Sequence, residues 1–271
     1  MNTDHYLVLG NPIEHSLSPR IHSLFAQQTG QAIEYDRRLV EPGRFAETIQ
    51  ELQARGIKGA NVTVPFKEEA FQVADQLSDA AQHAGAVNTL VFNPGGSISG
   101  HNTDGIGMVR DITINHGQTL KDKRILILGA GGAVRGILKP LIDEQPATIT
   151  IANRTVSKAQ ALKDLFIDYY DVKVSDFAVL ESDSFDLIIN GTSLGLSGEV
   201  APIPDGILAQ DALAYDMMYG NGSLPFQTKV REMGAVIILD GLGMLVEQAA
   251  ESFYIWRGTR PDTKSVISEL R

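Results

Sequence analysis

The chain has 271 residues, 43% of them hydrophobic and 21% charged, which is the composition of a soluble globular protein and a length sufficient for two domains. Its 33 acidic residues outnumber its 23 basic residues, and the net negative charge argues against nucleic acid or an acidic membrane surface as a partner. The absence of cysteine excludes disulfides and thiolate chemistry, and no apolar stretch has the length of a membrane span, so we expect a cytoplasmic protein without a membrane partner.

The first third of the chain alternates predicted strands with predicted helices. Strands are predicted over residues 6–9, 33–40 and 57–64, and helices from residue 18 onward and over 44–54. This order predicts a parallel or mostly parallel α/β unit.

Two short polar segments follow strands of this unit. Ser18 is expected to cap a helix whose first position is Pro19, which explains Ser18 but not Ser16. Thr63 and Lys67 fall at the carboxyl end of a strand, which is the edge where ligands bind in such sheets.

A hairpin is predicted next, with strands over residues 87–92 and 97–100 joined by a turn over 93–96. The segment His101-Asn102-Thr103-Asp104-Gly105 follows, and a helix over residues 106–115 is expected to lead into a second domain.

The second domain begins with a glycine-rich loop between a strand and a helix. Residues 125–128 form an unbroken apolar run, as in a strand buried on both faces, and Gly129, Gly131 and Gly132 follow it at the start of a helix. Free amides at a helix N-terminus favour a phosphate group. The third glycine of the dinucleotide fingerprint is replaced by Val134, so a plain strand-to-helix connection is the alternative interpretation.

The next strand indicates which dinucleotide would bind. It covers residues 148–152 and ends at Asn153-Arg154-Thr155, where an NAD site would place a carboxylate for the ribose hydroxyl. Arg154 and Lys158 instead offer positive charge for a 2′-phosphate, which favours NADP. The alternative is that both are solvated charges at the start of a helix.

The remaining pattern completes a Rossmann-like domain and returns to the first one. Strands are predicted over residues 172–174, 185–190, 212–217 and 235–239, and a final helix over 244–256 is expected to pack on the first domain. The sequence therefore predicts a discontinuous substrate-binding domain, residues 1–104 and 240–271, and a nucleotide-binding domain, residues 105–239, with the active site in a cleft between them.

A serine hydrolase is a competing interpretation, because Gly191-Thr192-Ser193-Leu194-Gly195 fits the G-x-S-x-G pattern. That fold needs a histidine after the serine, and all six histidines precede it. The histidines also lack metal-ligand spacing, so no metal site is expected.

Taken together, seven motifs in the same order across the whole chain resemble the shikimate dehydrogenases of aromatic amino acid biosynthesis. They are Gly10-Asn11-Pro12 with Ser16-Leu17-Ser18-Pro19, Asn61-Val62-Thr63-Val64-Pro65-Phe66-Lys67, Gly85-Ala86-Val87-Asn88-Thr89, Asn102-Thr103-Asp104-Gly105, Gly129-Ala130-Gly131-Gly132-Ala133, Asn153-Arg154-Thr155, and Tyr215-Asp216-Met217-Met218-Tyr219.

The resemblance implies reversible reduction of 3-dehydroshikimate to shikimate with NADPH, in the route to chorismate and the aromatic amino acids. Lys67 and Asp104 would form the acid/base pair, in which an ammonium stabilises and protonates the developing alkoxide while a carboxylate holds that ammonium and a ring hydroxyl. Without the resemblance, Lys67 would be taken for an exposed lysine at the start of a helix.

The resemblance also assigns binding residues. Ser16, Ser18 and Tyr219 would hold the substrate carboxylate, and Thr63, Asn88, Asp104 and Gln248 its hydroxyls. The cofactor would contact Gly129, Ala130, Gly131, Gly132, Ala133, Asn153, Arg154, Thr155, Lys158, Thr192, Ser193, Met217, Gly241 and Asp79. Taken singly, Ser18 is interpreted as a helix cap, Asn88 as a turn residue, Gln248 as a surface residue and Met217 as core packing.

Two related interpretations remain as alternatives. A quinate/shikimate dehydrogenase that uses NAD would be expected to carry an acidic group just after Asn153-Arg154, and Thr155-Val156-Ser157-Lys158 contains none. A non-catalytic NADP-binding regulator would be expected to lose Lys67 or Asp104, and both are present. The expected partners are small molecules, and the protein is expected to be a monomer or a homodimer.

Overall fold

The computed structural model describes residues 3–180, 184–220 and 224–271. The chain divides into two compact units, one comprising Met1–Gly107 and Leu245–Arg271 and the other Met108–Met244. Each unit carries one sheet with helices around it, so the predicted α/β class is confirmed.

The helices and strands follow one another along the whole chain. In order they are β1 (Asp4–Gly10), α1 (Ser18–Thr29), β2 (Ile33–Leu39), α2 (Phe45–Ala54), β3 (Gly59–Val62), α3 (Lys67–Val73), β4 (Gln76–Leu77), α4 (Asp79–Ala84), β5 (Thr89–Phe92), β6 (Ile98–His101), α5 (Asp104–Arg110), a π-helical turn (Asp111–Asn115), β7 (Arg124–Leu128), α6 (Gly132–Asp143), β8 (Thr148–Ala152), α7 (Val156–Phe166), β9 (Lys173–Ser175), a 3-10 turn (Phe177–Val179), β10 (Phe185–Asn190), a second 3-10 turn (Leu194–Ser197), β11 (Leu208–Asp216), α8 (Pro225–Glu232), β12 (Ile237–Leu239), α9 (Leu242–Arg257) and α10 (Thr263–Leu270).

The first unit contains a mixed sheet with the strand order β2-β1-β3-β5-β6-β4. β1 pairs in parallel with β2 and β3, and β4 pairs in parallel with β6. β5 runs antiparallel to both β3 and β6, because β5 and β6 form the predicted hairpin. The sheet is therefore parallel at one side and becomes antiparallel beyond β3.

Both faces of this sheet are covered by helices. Leu7 and Leu9 of β1 belong to the core formed with Phe45 and Ile49 of α2. Because side chains alternate along a strand, Tyr6 points the other way, where it stacks on Trp256 of α9 with 4.6 Å between ring centroids. The C-terminal helix α9 is thus part of the core of the first unit.

The second unit contains an entirely parallel sheet with the order β12-β11-β10-β7-β8-β9. Apolar residues fill both faces of its central strand: Ile125 and Ile127 belong to one core cluster, Leu126 and Leu128 to the other. The strands that follow β7 are added on one side of it up to β9, and β10 begins the other side. The strand order therefore reverses between β7 and β10, the position at which doubly wound sheets bind nucleotides.

Several local predictions needed correction. Leu17, not Ser18, is the cap residue of α1, and Ser18 is the first helical residue. The helix predicted over residues 106–115 is interrupted, because α5 ends at Arg110 and a π-helical turn follows. The short elements β4, α4 and α10 had no predicted counterpart, since each spans eight residues or fewer and carries a weak periodic pattern.

Candidate active site

The strand directions of the first sheet bring distant polar segments to one edge. Thr63 directly follows the C-terminal end of β3. Since β5 runs antiparallel to β3, the residue that precedes β5, Asn88, lies at the same edge. β6 reverses direction again and ends at His101, so Asp104 is delivered there as well.

Lys67 and Asp104 form an ion pair at this edge. Lys67 is the first residue of α3 and Asp104 the first residue of α5, and the Lys67 Nζ donates to Asp104 Oδ2 at 2.6 Å. The lysine side chain is 30% exposed and the aspartate side chain 15%. The N–H of Val87 donates to the Lys67 carbonyl at 2.9 Å, and this hydrogen bond connects the start of α3 with the segment that precedes β5. The pair is fixed by its surroundings yet remains open to a small molecule.

Asn88 is oriented so that its amide holds the second oxygen of Asp104. The backbone N–H of Thr103 donates to Asn88 Oδ1 at 3.0 Å, and Asn88 Nδ2 donates to Asp104 Oδ1 at 2.9 Å. Because a backbone N–H can only donate, the amide oxygen must face Thr103 and the amide nitrogen must face the carboxylate. Both oxygens of Asp104 therefore have a donor, one from Lys67 and one from Asn88.

Gln248 and Thr63 complete the predicted hydroxyl-binding set. Gln248 lies on α9, where its Nε2 donates to the Leu245 carbonyl at 2.8 Å and its Oε1 lies 3.4 Å from Asn88 Nδ2. Thr63 is half-buried, and a Cβ at Gly10 would lie 2.5 Å from its methyl group, so only glycine fits there. Direct contacts thus join Lys67, Asp104, Asn88 and Gln248.

The two serines lie in the loop that leads from β1 into α1. Ser18 is 8% exposed, and its backbone N–H donates to the hydroxyl oxygen of Ser16 at 3.3 Å. The capping interpretation of Ser18 was wrong because the helix starts one residue earlier than a cap at this position requires.

Tyr219 and Asp79 are two further predicted ligands. Tyr219 belongs to the second unit, is 42% exposed, and has its phenol pKa raised by partial burial. Asp79 is the first residue of α4 in the first unit, and its carboxylate lies 3.3 Å from Nδ1 of His83. Their proposed contacts with substrate and cofactor stay predictions.

The glycine loop follows β7 at the reversal point of the second sheet. Gly129 has a φ of +103°, a conformation that L side chains rarely adopt, and its N–H donates to the Ala152 carbonyl at 2.8 Å. A Cβ at Gly129 would lie 3.1 Å from the carbonyl oxygen of Gly191, so the loops after β7 and β10 approach each other closely. Gly131 and Gly132 are exposed and open onto free space, at the N-terminus of the 12-residue helix α6.

This loop has the properties of a pyrophosphate site. Exposed backbone amides, the positive end of a helix and the absence of side chains that would block approach all favour a phosphate at this position. At the end of β8, Arg154, Thr155 and Lys158 are exposed, and Asn153 Nδ2 donates to the Thr155 carbonyl at 2.8 Å. The residues present therefore fit the phosphates of a dinucleotide, including a 2′-phosphate.

A buried pair that the sequence did not reveal holds the loops expected to meet nicotinamide. Asn190 donates through Nδ2 to Asp216 Oδ1 at 3.0 Å, and the Asn190 Oδ1 accepts from the N–H and hydroxyl of Thr192. The N–H of Met217 in turn donates to the Asn190 carbonyl at 3.0 Å. Burial raises the pKa of Asp216, although hydrogen bonds from the Met218 N–H and Asn190 oppose the shift.

Ser193 and Gly241 lie on the same loops. Ser193 is exposed and precedes the 3-10 turn that follows β10, so no α-helix continues from the glycine–serine motif as a hydrolase elbow would require. Gly241 is buried, and a Cβ there would lie 2.3 Å from the carbonyl oxygen of Met217. Glycine is therefore needed where the loop before α9 passes Met217.

The described residues contain neither a metal cluster nor a membrane-spanning helix. Across residues 3–180, 184–220 and 224–271, no group of three or more His, Asp or Glu side chains has an arrangement that could hold a metal ion. Within the same ranges, no helix is both long and apolar enough to cross a membrane.

Thr103 is the clearest residue that sequence reasoning missed at the acid/base pair. It is 1% exposed, and both its N–H and its hydroxyl contact Asn88. Its place between Asn102 and Asp104 in a singled-out motif was the available signal. The site can donate a proton from the Lys67 ammonium, which lies beside the Asp104 carboxylate. Neutral hydrogen-bonding groups surround this pair.

Family models cover most of the chain. Residues 8–90 match the shikimate dehydrogenase substrate binding domain, residues 111–195 match the shikimate / quinate 5-dehydrogenase family, and residues 241–271 match the shikimate 5′-dehydrogenase C-terminal domain.

Individual relatives match over nearly the full length. A protein of Dechloromonas aromatica named shikimate dehydrogenase (NADP(+)) is 56% identical over 269 residues, which is 99% of this chain and 98% of that protein. The structure of an Ael1 enzyme from Pseudomonas putida is 46% identical with a TM-score of 0.95, covering 99% of this chain and 98% of that one. The Thermus thermophilus shikimate 5-dehydrogenase, solved in complex with NADP(H) and shikimate, is 29% identical with a TM-score of 0.87, covering 98% of each chain. This chain belongs to the shikimate dehydrogenase family.

Proposed function

We propose that this chain catalyses the reversible reduction of 3-dehydroshikimate to shikimate with NADPH. The observation that carries the proposal is the ion pair of Lys67 and Asp104 at the carboxyl edge of the first sheet, 2.6 Å apart and partly exposed. The family and the names of its close relatives supply the substrate. The same pair argues against a regulator that has lost catalysis.

The chain's own residues supply the proton of the reaction. The bound NADPH would supply a hydride to the ketone carbon, and the ketone oxygen then gains negative charge. Lys67 donates a proton to that oxygen, which yields the hydroxyl of shikimate, and the neutral amine must be protonated again before the next turnover. Asp104 holds the ammonium and accepts from a substrate hydroxyl, so it orients both reactants.

Neutral groups recognise the rest of the substrate. Asn88 contacts Asp104, and Gln248 contacts Asn88. Together with Thr63, their amide groups can bind the ring hydroxyls. Ser16, Ser18 and Tyr219 are assigned to the substrate carboxylate by their positions in the family motifs. An amide or hydroxyl lining suits a ligand that has several hydroxyls and a single charge.

NADP is the proposed cofactor because of the residues at the end of β8. Arg154 and Lys158 are exposed there, while Asn153 and Thr155 offer neutral hydrogen-bonding groups and no carboxylate. The glycine loop from Gly129 to Ala133 takes the pyrophosphate, and Thr192, Ser193, Met217 and Gly241 lie on the loops assigned to nicotinamide, with Asp79 as a further contact.

The assembly and location are proposed from the same set of residues. Every proposed reacting and binding group comes from one chain, so a monomer or a homodimer would serve equally well. A chain without cysteine needs no oxidising compartment for disulfides, and we place it in the cytoplasm.

The test is a spectrophotometric assay with purified protein. Shikimate with NADP should yield reduced nicotinamide, with much less formed from NAD and little formed from quinate. Lys67→Ala should lower kcat by about 100- to 10,000-fold, the usual contribution of a general acid/base, while calorimetry shows that shikimate still binds.

Lys58→Ala, which removes an exposed lysine of the same unit, is the matched control and should keep wild-type kcat. Turnover of Lys67→Ala at nearly the wild-type rate would contradict the assigned role. Faster oxidation of quinate than of shikimate would contradict the assigned substrate.

A further inference from the structure

A chain of buried hydroxyl and amide groups runs behind the acid/base pair. Ser252 lies on α9, one turn after Gln248, and is fully buried. Its Oγ is 2.7 Å from Thr89 Oγ1, 2.9 Å from Asn61 Nδ2 and 3.0 Å from the Gln248 carbonyl oxygen. Thr89 Oγ1 in turn lies 2.9 Å from Asn88 Oδ1. One hydroxyl on α9 therefore connects with the residues that orient Asn88.

The direction of the hydrogen bonds in this chain can be worked out from its fixed ends. Asn61 Nδ2 donates to the Asn88 carbonyl at 3.1 Å, which can only accept, so the Asn61 nitrogen faces Ser252 and its oxygen accepts from the Tyr35 hydroxyl at 2.7 Å. At the other end, Asn88 Oδ1 faces the Thr103 N–H and must accept. Thr89 then gives its proton to Asn88, and the one proton of Ser252 is shared between Thr89 Oγ1 and the Gln248 carbonyl, which can only accept.

This single direction satisfies each buried hydroxyl along the path. Ser252 accepts from Asn61, donates to Thr89, and Thr89 donates to Asn88, whose Nδ2 donates to Asp104 Oδ1 at 2.9 Å. Removing the Ser252 hydroxyl takes away the 2.7 Å partner of Thr89 Oγ1 and leaves it only the longer bond from Asn61 Nδ2, at 3.1 Å. Thr89 would then be held less firmly, and the hydrogen bond that it gives to Asn88 Oδ1 would weaken, while the Thr103 N–H still holds the same oxygen.

We infer that Ser252 is a positioning residue for the reaction, acting through Thr89 on Asn88 and so on Asp104. The inference rests on the proposed function, because its effect is measured on shikimate oxidation. Ser252 itself is buried beneath the site and does not touch the reacting atoms. Its hydroxyl supports, through Thr89, the amide whose direction the Thr103 N–H fixes and which holds the catalytic carboxylate.

The first prediction of this inference concerns the shikimate parameters. Ser252→Ala should raise KM for shikimate by about tenfold, corresponding to one well-placed buried hydrogen bond, and leave KM for NADP within about twofold of wild type. Thr48→Val, which deletes a buried hydroxyl on α2 outside this chain of groups, is the matched control and should leave both KM values unchanged.

A double-mutant cycle separates positioning through Asn88 from general loosening of the core. In an Asn88→Ala background, Ser252→Ala should add less than about a twofold further loss in kcat/KM, because the group it positions is already gone. The inference would be overturned if Ser252→Ala alone caused no loss of kcat/KM. It would also be overturned if Ser252→Ala lowered kcat/KM by the same factor in the Asn88→Ala background as in the wild type.

Two variants of Thr89 test the same inference independently. Thr89→Val removes the hydroxyl and keeps the shape, and it should reproduce the shikimate KM of Ser252→Ala. Thr89→Ser keeps the hydroxyl and should restore nearly wild-type KM. Equal defects in the two Thr89 variants would overturn the inference. If wild-type protein fails to oxidise shikimate at all, it is the proposed function that fails.

Discussion

His22 should make the first unit sensitive to acid, and the effect can be calculated. The imidazole is fully buried on α1, lies parallel to the Tyr35 ring with 4.1 Å between centroids, and is 5.5 Å from the Trp256 ring. Burial lowers the pKa of His22 from 6.5 to about 3, and the nearby Asn61 opposes only part of the shift. Neither ring nitrogen forms a hydrogen bond of good geometry with a described residue.

The direction of the pH effect follows from the lowered pKa. Below pH 6.5 the histidine of the unfolded chain takes up a proton that the folded chain does not bind until about pH 3. The stability that depends on neutral His22 is therefore fully present above pH 6.5 and is lost as the pH falls from 6.5 towards 3. At pH 5 the loss amounts to about 2 kcal/mol, from the protonation free energy of an ordinary histidine at that pH.

The perturbation is His22→Phe, which keeps an aromatic ring against Tyr35 and removes the titrating group. The free energy of unfolding by urea should fall by about 2 kcal/mol less in the variant than in the wild type between pH 8 and pH 5. Contributions from other groups, such as His101, whose pKa is also lowered by burial, occur in both proteins and cancel in this difference.

Trp256 makes the measurement specific to the first unit. It is the sole tryptophan of the chain and lies in the same aromatic cluster as His22, so its fluorescence reports unfolding of that unit. Ser23→Ala, at the next and exposed position of α1, is the control and should follow the wild-type pH dependence. Parallel pH curves for wild type and His22→Phe would refute the argument that burial keeps this histidine neutral.

Three substitutions test the cofactor site and the packing of the fold. Arg154→Ala should raise KM for NADP by about tenfold or more, which corresponds to the loss of one charge-assisted hydrogen bond, and should leave KM for NAD unchanged. An equal change in KM for both cofactors in steady-state assays would contradict a contact with the 2′-phosphate. Gly131→Ala places its methyl group in open space, so the melting temperature should stay constant while KM for NADP rises; a normal KM would mean that no phosphate approaches this glycine. Gly59→Ala places a Cβ 2.5 Å from the Leu90 carbonyl oxygen and 2.5 Å from the Trp256 indole nitrogen. This overpacking should lower the free energy of unfolding, measured in urea, by about 1–3 kcal/mol. An unchanged free energy of unfolding would show that α9 can shift away.

The nucleotide-binding half could be predicted largely from local sequence. The apolar run of residues 125–128 falls within β7, because a strand buried on both faces leaves an uninterrupted apolar signal that can be recognised without knowledge of the neighbouring strands. The glycine loop after β7 could also be predicted locally, since its glycines, the strand before it and the helix after it are adjacent in the sequence. The buried pair of Asn190 and Asp216 was not foreseen, because it forms only when β10 and β11 lie side by side.

The acid/base pair could not be derived from pattern alone. Lys67 and Asp104 are 37 residues apart, and their contact depends on β5 and β6 reversing direction at the edge of a parallel sheet. Gln248 is more remote still, because α9 returns to the first sheet from beyond the second unit. Resemblance to a family named these residues, and their geometry required the tertiary structure.

The error at Ser18 shows why polar residues near helix starts are ambiguous. Serine at such a position is most often a cap, yet in this loop Leu17 takes the cap position and the Ser16 hydroxyl accepts the Ser18 N–H instead. The Ser16 hydroxyl thus accepts the N–H of the first helical residue, so the serine that capping could not explain supports the start of α1.

The hydrogen bonds of Asp104 explain how a reactive pair can be held in place without being sealed from substrate. Each oxygen of the carboxylate receives one donor, Lys67 or Asn88, and an ionised carboxylate can accept about four, so capacity remains for a substrate hydroxyl. Asn88 is fixed by a backbone N–H and by the buried chain that includes Ser252, so its orientation does not depend on a ligand being bound. Rigid support beneath the carboxylate and spare acceptor capacity on its exposed side are both needed for Lys67 to meet the ketone oxygen in a reproducible geometry.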